Sequence, residues 1–89
     1  MKVVLDGRGI SDRKALHQVL EEALRLPEWY GRNLDALHDC LTERREDVEI
    51  EICHQKALKA ALGGYGEAFL RLLRDAAMEN PHIRLKIDT

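Results

Sequence analysis

Apolar residues recur with two rhythms along this chain, and the rhythms outline its elements. In KVVLD, residues 2–6, a β-branched run ends at the turn signal Asp6-Gly7 and predicts a first strand. Ala15, Leu16, Val19, Leu20, Ala23 and Leu24 then repeat at helical spacing. Ser11 is placed to cap that helix, which opens at Asp12, with Ile10 and Ala15 spaced as a hydrophobic staple. Pro27 stops it. Asn33 is the next N-cap, and a short helix follows through about Leu41.

The stretch DVEIEIC, 47–53, alternates strictly, with Val48, Ile50 and Ile52 on one face and Glu49 and Glu51 on the other. That is the pattern of a half-buried strand. HQKALKAAL, 54–62, predicts a third helix ended by Gly63-Gly64. The last helix runs from Tyr65 to about Glu79, with Phe69, Leu70, Leu73, Ala76 and Ala77 on its apolar face and Pro81 closing it. HIRLKID, 82–88, alternates again, with Ile83, Leu85 and Ile87 inward and Arg84 and Lys86 outward.

Strands separated by pairs of helices favour a parallel sheet with right-handed crossovers. One face of the second and third strands is polar, so helices are expected on one side of the sheet only. The outward glutamates of the second strand complement Arg84 and Lys86 of the third, which places these strands side by side. The expected architecture is therefore a two-layer α/β fold, a three-stranded parallel sheet of order 1-2-3. At 89 residues it forms a single domain, 1–89, without repeats, linkers or low-complexity segments.

Composition narrows the function classes. With 45 % apolar residues but only one Trp, one Phe and two Tyr, the core must be mostly aliphatic. No apolar run approaches the roughly 20 residues that cross a bilayer. The start, MKVVLDGRG, lacks a signal-peptide pattern, so the cytoplasm is the expected compartment. Cys40 and Cys53 read as reduced thiols. A net charge of -2, from 14 basic and 16 acidic residues, argues against direct nucleic-acid binding. Cys53-His54 has no second pair at zinc spacing, so neither metal nor cofactor is expected.

The helix from Leu34 separates into two arcs at about 100° per residue. Leu34, Leu37, Cys40 and Leu41 share one side, which makes Cys40 a core-facing thiol. Asp35, His38, Asp39 and Thr42 share the other. Asp35 suits the positive end of the helix. Asp39 lies beyond the first turn and repels Asp35 by a few tenths of a kcal/mol. On spacing alone, a solvated face accounts for both acids. General acid–base work does not suit them, because display on a convex helix offers no burial to separate their pKa values, and no enzyme is expected. Trp29 and Tyr30 either pack against the helices they join or stand out as binding residues, where both types are enriched. Gly31 is expected to supply an unusual backbone angle between the two helices.

LHQVLEEALRLPEWYGRNLDALHDCLT, 16–42, resembles the barstar family of intracellular ribonuclease inhibitors. LPEWYGRNLDAL and DCLT carry the likeness most specifically, and the rest of the chain follows the same element order. The resemblance implies that the second helix and the loop before it plug the active site of a basic ribonuclease, with carboxylates standing in for RNA phosphates. It implies Asp39 as the key acid, with Asp35 beside it, Trp29 as an aromatic cover, and Gly31, Asn33 and Thr42 as contacts. Asp75 and Glu79 are implied as distal acids on the last helix. His38 replaces a tryptophan of the family, Arg32 replaces an acid, and Glu43, Arg44 and Arg45 replace a glycine, a tryptophan and an apolar residue. Against a basic site, Arg32, Arg44 and Arg45 are repulsive unless they swing aside or meet acids. A divergent, secreted ribonuclease with acidic groups near its cleft therefore fits better than barnase. An immunity or adaptor protein of the same fold, binding a toxin that is not a ribonuclease, is the alternative.

Overall fold

Val48–Cys53 (β2) forms the centre of the sheet, because its alternation buries Val48, Ile50 and Ile52 and leaves Glu49 and Glu51 half-buried on the opposite face. The computed structural model describes residues 1–88. Around β2 the chain runs β1 (Lys2–Asp6), a 3-10 turn (Gly7–Gly9), α1 (Arg13–Leu24) and α2 (Leu34–Thr42). After β2 come α3 (Gln55–Leu62), α4 (Gly64–Glu79) and β3 (Ile83–Ile87). Strand order is β1-β2-β3 and both pairings are parallel. The register sets Glu49 opposite Arg84 and Glu51 opposite Lys86, as the charge pattern requires. The close ion pair on this face is from the other neighbour, Lys2 Nζ to Glu51 Oε1 at 3.8 Å.

The helices cover one face of the sheet. Leu16, Leu20 and Leu24 of α1, Leu37 and Leu41 of α2, Leu58 of α3 and Phe69, Leu70 and Leu73 of α4 meet Val3, Leu5, Ile50 and Ile52 in a single core. Each such leucine contributes on the order of 1.5–3 kcal/mol by leaving water. The outer face keeps Val4 more than half exposed among charged neighbours. Ala77, Leu85 and Ile87 are only half-buried, at the edge of the core.

Capping fixes the helix starts. Asp12, not Ser11, caps α1: the chain is still extended there, so its carboxylate accepts from Ala15 N at 2.8 Å while Ser11 falls one residue too early. Asn33 caps α2 as its sequence position indicates, Oδ1 accepting from Ala36 N at 2.8 Å. α3 opens at a left-handed His54 that offers no side-chain cap. Its first amides are instead met by Asp88 at the far end of the sheet, which accepts from His54 N at 2.6 Å and Gln55 N at 3.1 Å. Gly7 permits that corner to close, since a Cβ there would stand 2.3 Å from His54 O.

Candidate functional site

Tyr30 anchors the segment between α1 and α2. Its amide closes a turn on Pro27 O at 2.9 Å, and its buried hydroxyl lies 2.5 Å from His17 Nδ1. On the other side of that ring, His17 Nε2 lies 2.6 Å from the hydroxyl of Tyr65. Burial, with a smaller contribution from the Arg32 charge, holds the His17 pKa below the ordinary value, and burial raises both tyrosines. With Tyr30 turned inward, Trp29 is thrust into solvent at 77 % exposure. Of the two adjacent aromatics, Tyr30 packs inward and Trp29 stands exposed.

Gly31 does not carry the unusual backbone angle. The left-handed residue is Arg32, at φ 52°. At Gly31 the fit is close, because a Cβ there would stand 3.0 Å from Asn33 Nδ2, a side-chain atom that would have to give by a few tenths of an ångström. Asn33 Nδ2 also donates to Gly31 O at 3.2 Å, so the whole turn is folded onto the first turn of α2. Arg32 swings away from α2, donating to Glu21 Oε2 on α1 at 3.0 Å.

On α2, Asp35 and Asp39 are exposed, and neither carboxylate has a hydrogen-bond or ion-pair partner among the described residues. The Thr42 hydroxyl is spent within the helix, donating to His38 O at 2.9 Å. His38 reaches across to α4, where its Nε2 lies 3.0 Å from Glu79 Oε2. Asp75 sits one turn earlier on α4, exposed. Cys40 is half-buried against the core, and burial raises its thiol pKa, as expected of an inert side chain.

Asn80, unremarked in the sequence, holds the two helices in register. It is buried, and its Nδ2 donates to Leu41 O and Arg44 O, both at 2.8 Å, while Oδ1 accepts from His82 N at 3.0 Å. The end of α2 is thereby stapled to the end of α4. An Asn between a helix and a Pro signals a helix end in sequence, but nothing local announces these long-range bonds. Arg44 also turns inward, donating to Leu24 O at 3.2 Å. Arg45 and Glu43 stay exposed on an open concavity of about 630 Å³ that Thr42, Glu79 and His82 also line.

The arrangement therefore presents two exposed carboxylates one turn apart on a braced helix, an exposed indole in the turn that precedes it, and two further acids on α4. Among the described residues, no group of three or more His, Cys, Asp or Glu is placed to hold a metal ion, and no helix is long and apolar enough to cross a membrane.

Comparison with known proteins bears on what such a face is for. The family described as Barstar (barnase inhibitor) matches residues 1–88. A protein of Bacillus subtilis (strain 168) named "Putative ribonuclease inhibitor YrdF" is 34 % identical over 79 residues, spanning 88 % of this chain and 87 % of that protein.

Proposed function

The chain belongs to the barstar family, and on that premise we propose that it inhibits a ribonuclease by laying the acidic face of α2 into the enzyme's active site in place of RNA phosphates. The observation that carries this reading is the pair of exposed carboxylates, Asp35 and Asp39, left without partners on a helix fixed at both ends by Asn33 and Asn80. A carboxylate held in place opposite Arg or Lys makes short, charge-assisted hydrogen bonds. Holding it beforehand removes the ordering cost at binding. Complementary fields also speed the encounter.

The neighbouring residues take supporting roles. Trp29 supplies a large apolar contact beside the acids, and Gly31 lets the chain pass close to the partner. Asn33 and Thr42 fix the helix backbone that presents the acids. His38 holds Glu79 toward the same side, and Asp75 extends the negative field along α4. No catalysis is assigned to the chain. It acts in the cytoplasm, on a ribonuclease destined for secretion that would otherwise degrade the host's RNA. Arg32 is paired with Glu21 and Arg44 is bonded to Leu24 O, which lessens their opposition to a basic active site.

The test is inhibition of a panel of purified bacterial ribonucleases, barnase included, by the protein and its Asp39→Ala variant. Asp39→Ala should weaken inhibition at least 100-fold, the loss of about 2.7 kcal/mol expected of a buried charge pair. Unchanged inhibition would end the proposed role of this acid. Failure against every ribonuclease, with tight binding to another toxin, would favour the immunity-protein reading.

A further inference from the structure

A cleft of about 380 Å³ opens between the first turn of α1, the turn preceding α2 and the start of α4, lined by Arg13, Lys14, His17, Arg32, Asn33 and Tyr65. Three of these six residues are cations and none is an acid. Arg13 and Lys14 occupy the first turn of α1, which holds no acidic residue. Positive charge there opposes the helix dipole, so helix stability does not account for it. Among the described residues, the one ion pair made by any of the three cations is Arg32 with Glu21. Arg13 lies with its guanidinium carbon 4.3 Å from the centre of the Tyr65 ring, which holds it at the rim.

Hydrogen-bond accounting adds a donor to this wall. A neutral imidazole donates once and accepts once. The buried Tyr30 hydroxyl has no partner among the described residues except His17 Nδ1. A buried hydroxyl proton needs an acceptor, so Tyr30 donates to Nδ1. His17 Nε2 then carries the ring proton and donates it to the Tyr65 oxygen. The hydroxyl proton of Tyr65, a half-buried residue on the cleft wall, is left over. Two cations without an ion pair among the described residues, a third shared with Glu21, and an unspent hydroxyl donor thus belong to residues lining one cleft. The cleft's own acceptors are already engaged: Asn33 by Ala36, His17 by Tyr30 and Tyr65 by His17.

We propose that this cleft is an oxyanion site that receives a carboxylate of the bound ribonuclease, an aspartate or glutamate at the rim of that enzyme's active site. The proposal rests on the inhibitor reading, because the cleft adjoins the binding face through Asn33, the cap of α2. It makes the interface two-signed: the acids of α2 meet the partner's cations, while Arg13, Lys14 and Tyr65 meet an acid. A related ribonuclease lacking that acid would leave desolvated cations unpaired, and this discriminates against it.

The site is tested on the full chain by NMR titration with acetate, the carboxylate probe, and with inorganic phosphate. Acetate should give saturable shifts centred on the cleft residues Arg13, Lys14, Asn33 and Tyr65. Lys14→Glu, which suits the helix dipole and so keeps the fold, should weaken them at least tenfold, while Asp39→Ala leaves them in place. No saturable shift, or saturation by phosphate alone, overturns the proposal. In the ribonuclease panel, Lys14→Glu should weaken inhibition at least tenfold. Loss of inhibition with Asp39→Ala but not with Lys14→Glu overturns this proposal alone. No loss with either variant overturns this proposal and the role of Asp39, whereas failure to inhibit any ribonuclease overturns the inhibitor reading itself.

Discussion

His38 Nε2 stands 3.0 Å from Glu79 Oε2, so one side-chain pair joins the exposed faces of the two helices that carry the acids. Its role is to aim Glu79 rather than to hold the fold. Both side chains are well solvated, at 38 % and 53 % exposure, and such pairs contribute about 0–1 kcal/mol. A double-mutant cycle of His38→Ala and Glu79→Ala, followed by urea unfolding, should give a coupling below about 1 kcal/mol. A coupling above about 2 kcal/mol would mark the pair as a structural clamp instead.

Asn80 is the opposite case. Its side chain makes three hydrogen bonds in a buried setting, two of them to the carbonyls that end α2. Asn80→Ala removes the amide donor from both carbonyls, leaving Leu41 O with the long bond from Arg44 N at 3.3 Å, and should cost about 2–4 kcal/mol in urea unfolding. A loss under about 1 kcal/mol would mean that water replaces the amide and that the staple is dispensable.

Acidity should act through His17. Its folded pKa lies below the ordinary 6.5 because the ring is buried between two tyrosines. The unfolded chain therefore takes up this proton first as pH falls. Stability is complete above pH 6.5 and declines below it, by at most about 1.4 kcal/mol per pH unit, until the folded pKa is passed. Urea midpoints measured between pH 7.5 and 5, where carboxylates remain charged, should fall for the native protein. His17→Gln should flatten that slope, and an equal slope in the variant would assign it to other groups.

Two glycines of one turn should respond differently to alanine. At Gly7 the added carbon would meet His54 O at 2.3 Å and Leu58 Cβ at 2.9 Å, whereas nothing lies within 4 Å at Gly9. Neither has a positive φ, so clearance alone separates them. Gly7→Ala should cost about 2 kcal/mol or more, roughly 8–16 °C in Tm for a domain of this size. Gly9→Ala should stay within about 0.5 kcal/mol of the native protein. Calorimetry on both variants decides it, and equal midpoints would show that the Gly7 corner can yield.

Much of the fold was legible because it is written in local period and charge. The strict alternation at 48–52 and 83–87 marks the strands, and Glu49, Glu51, Arg84 and Lys86 state which strands are neighbours. What escaped depends on contacts distant in sequence or on single backbone angles. Ser11 and Asp12 are both good caps, and which one serves depends on where the helical angles begin. Tyr30 rather than Trp29 turns inward to meet His17, thirteen positions earlier on α1. Arg32 rather than Gly31 takes the left-handed angle while its guanidinium reaches Glu21. At the candidate site the face of Asp35 and Asp39 was legible from helical geometry. Its bracing by Glu79 and Asn80 was not, because α4 approaches α2 only in the folded chain.

Parallel pairing gives the molecule an order of assembly. β1 must wait for β2, and β2 for β3, with two helices made in between each time. Such non-local contacts repay their loop-closure cost late, and chains that depend on them fold slowly. α2 lies inside the first crossover, and the amide that fastens its far end comes from Asn80, just before β3. A ribosome must therefore pass Asn80 before the face of Asp35 and Asp39 is held in its final place. The surface matures only once a residue 39 positions downstream of Leu41 has been made and docked.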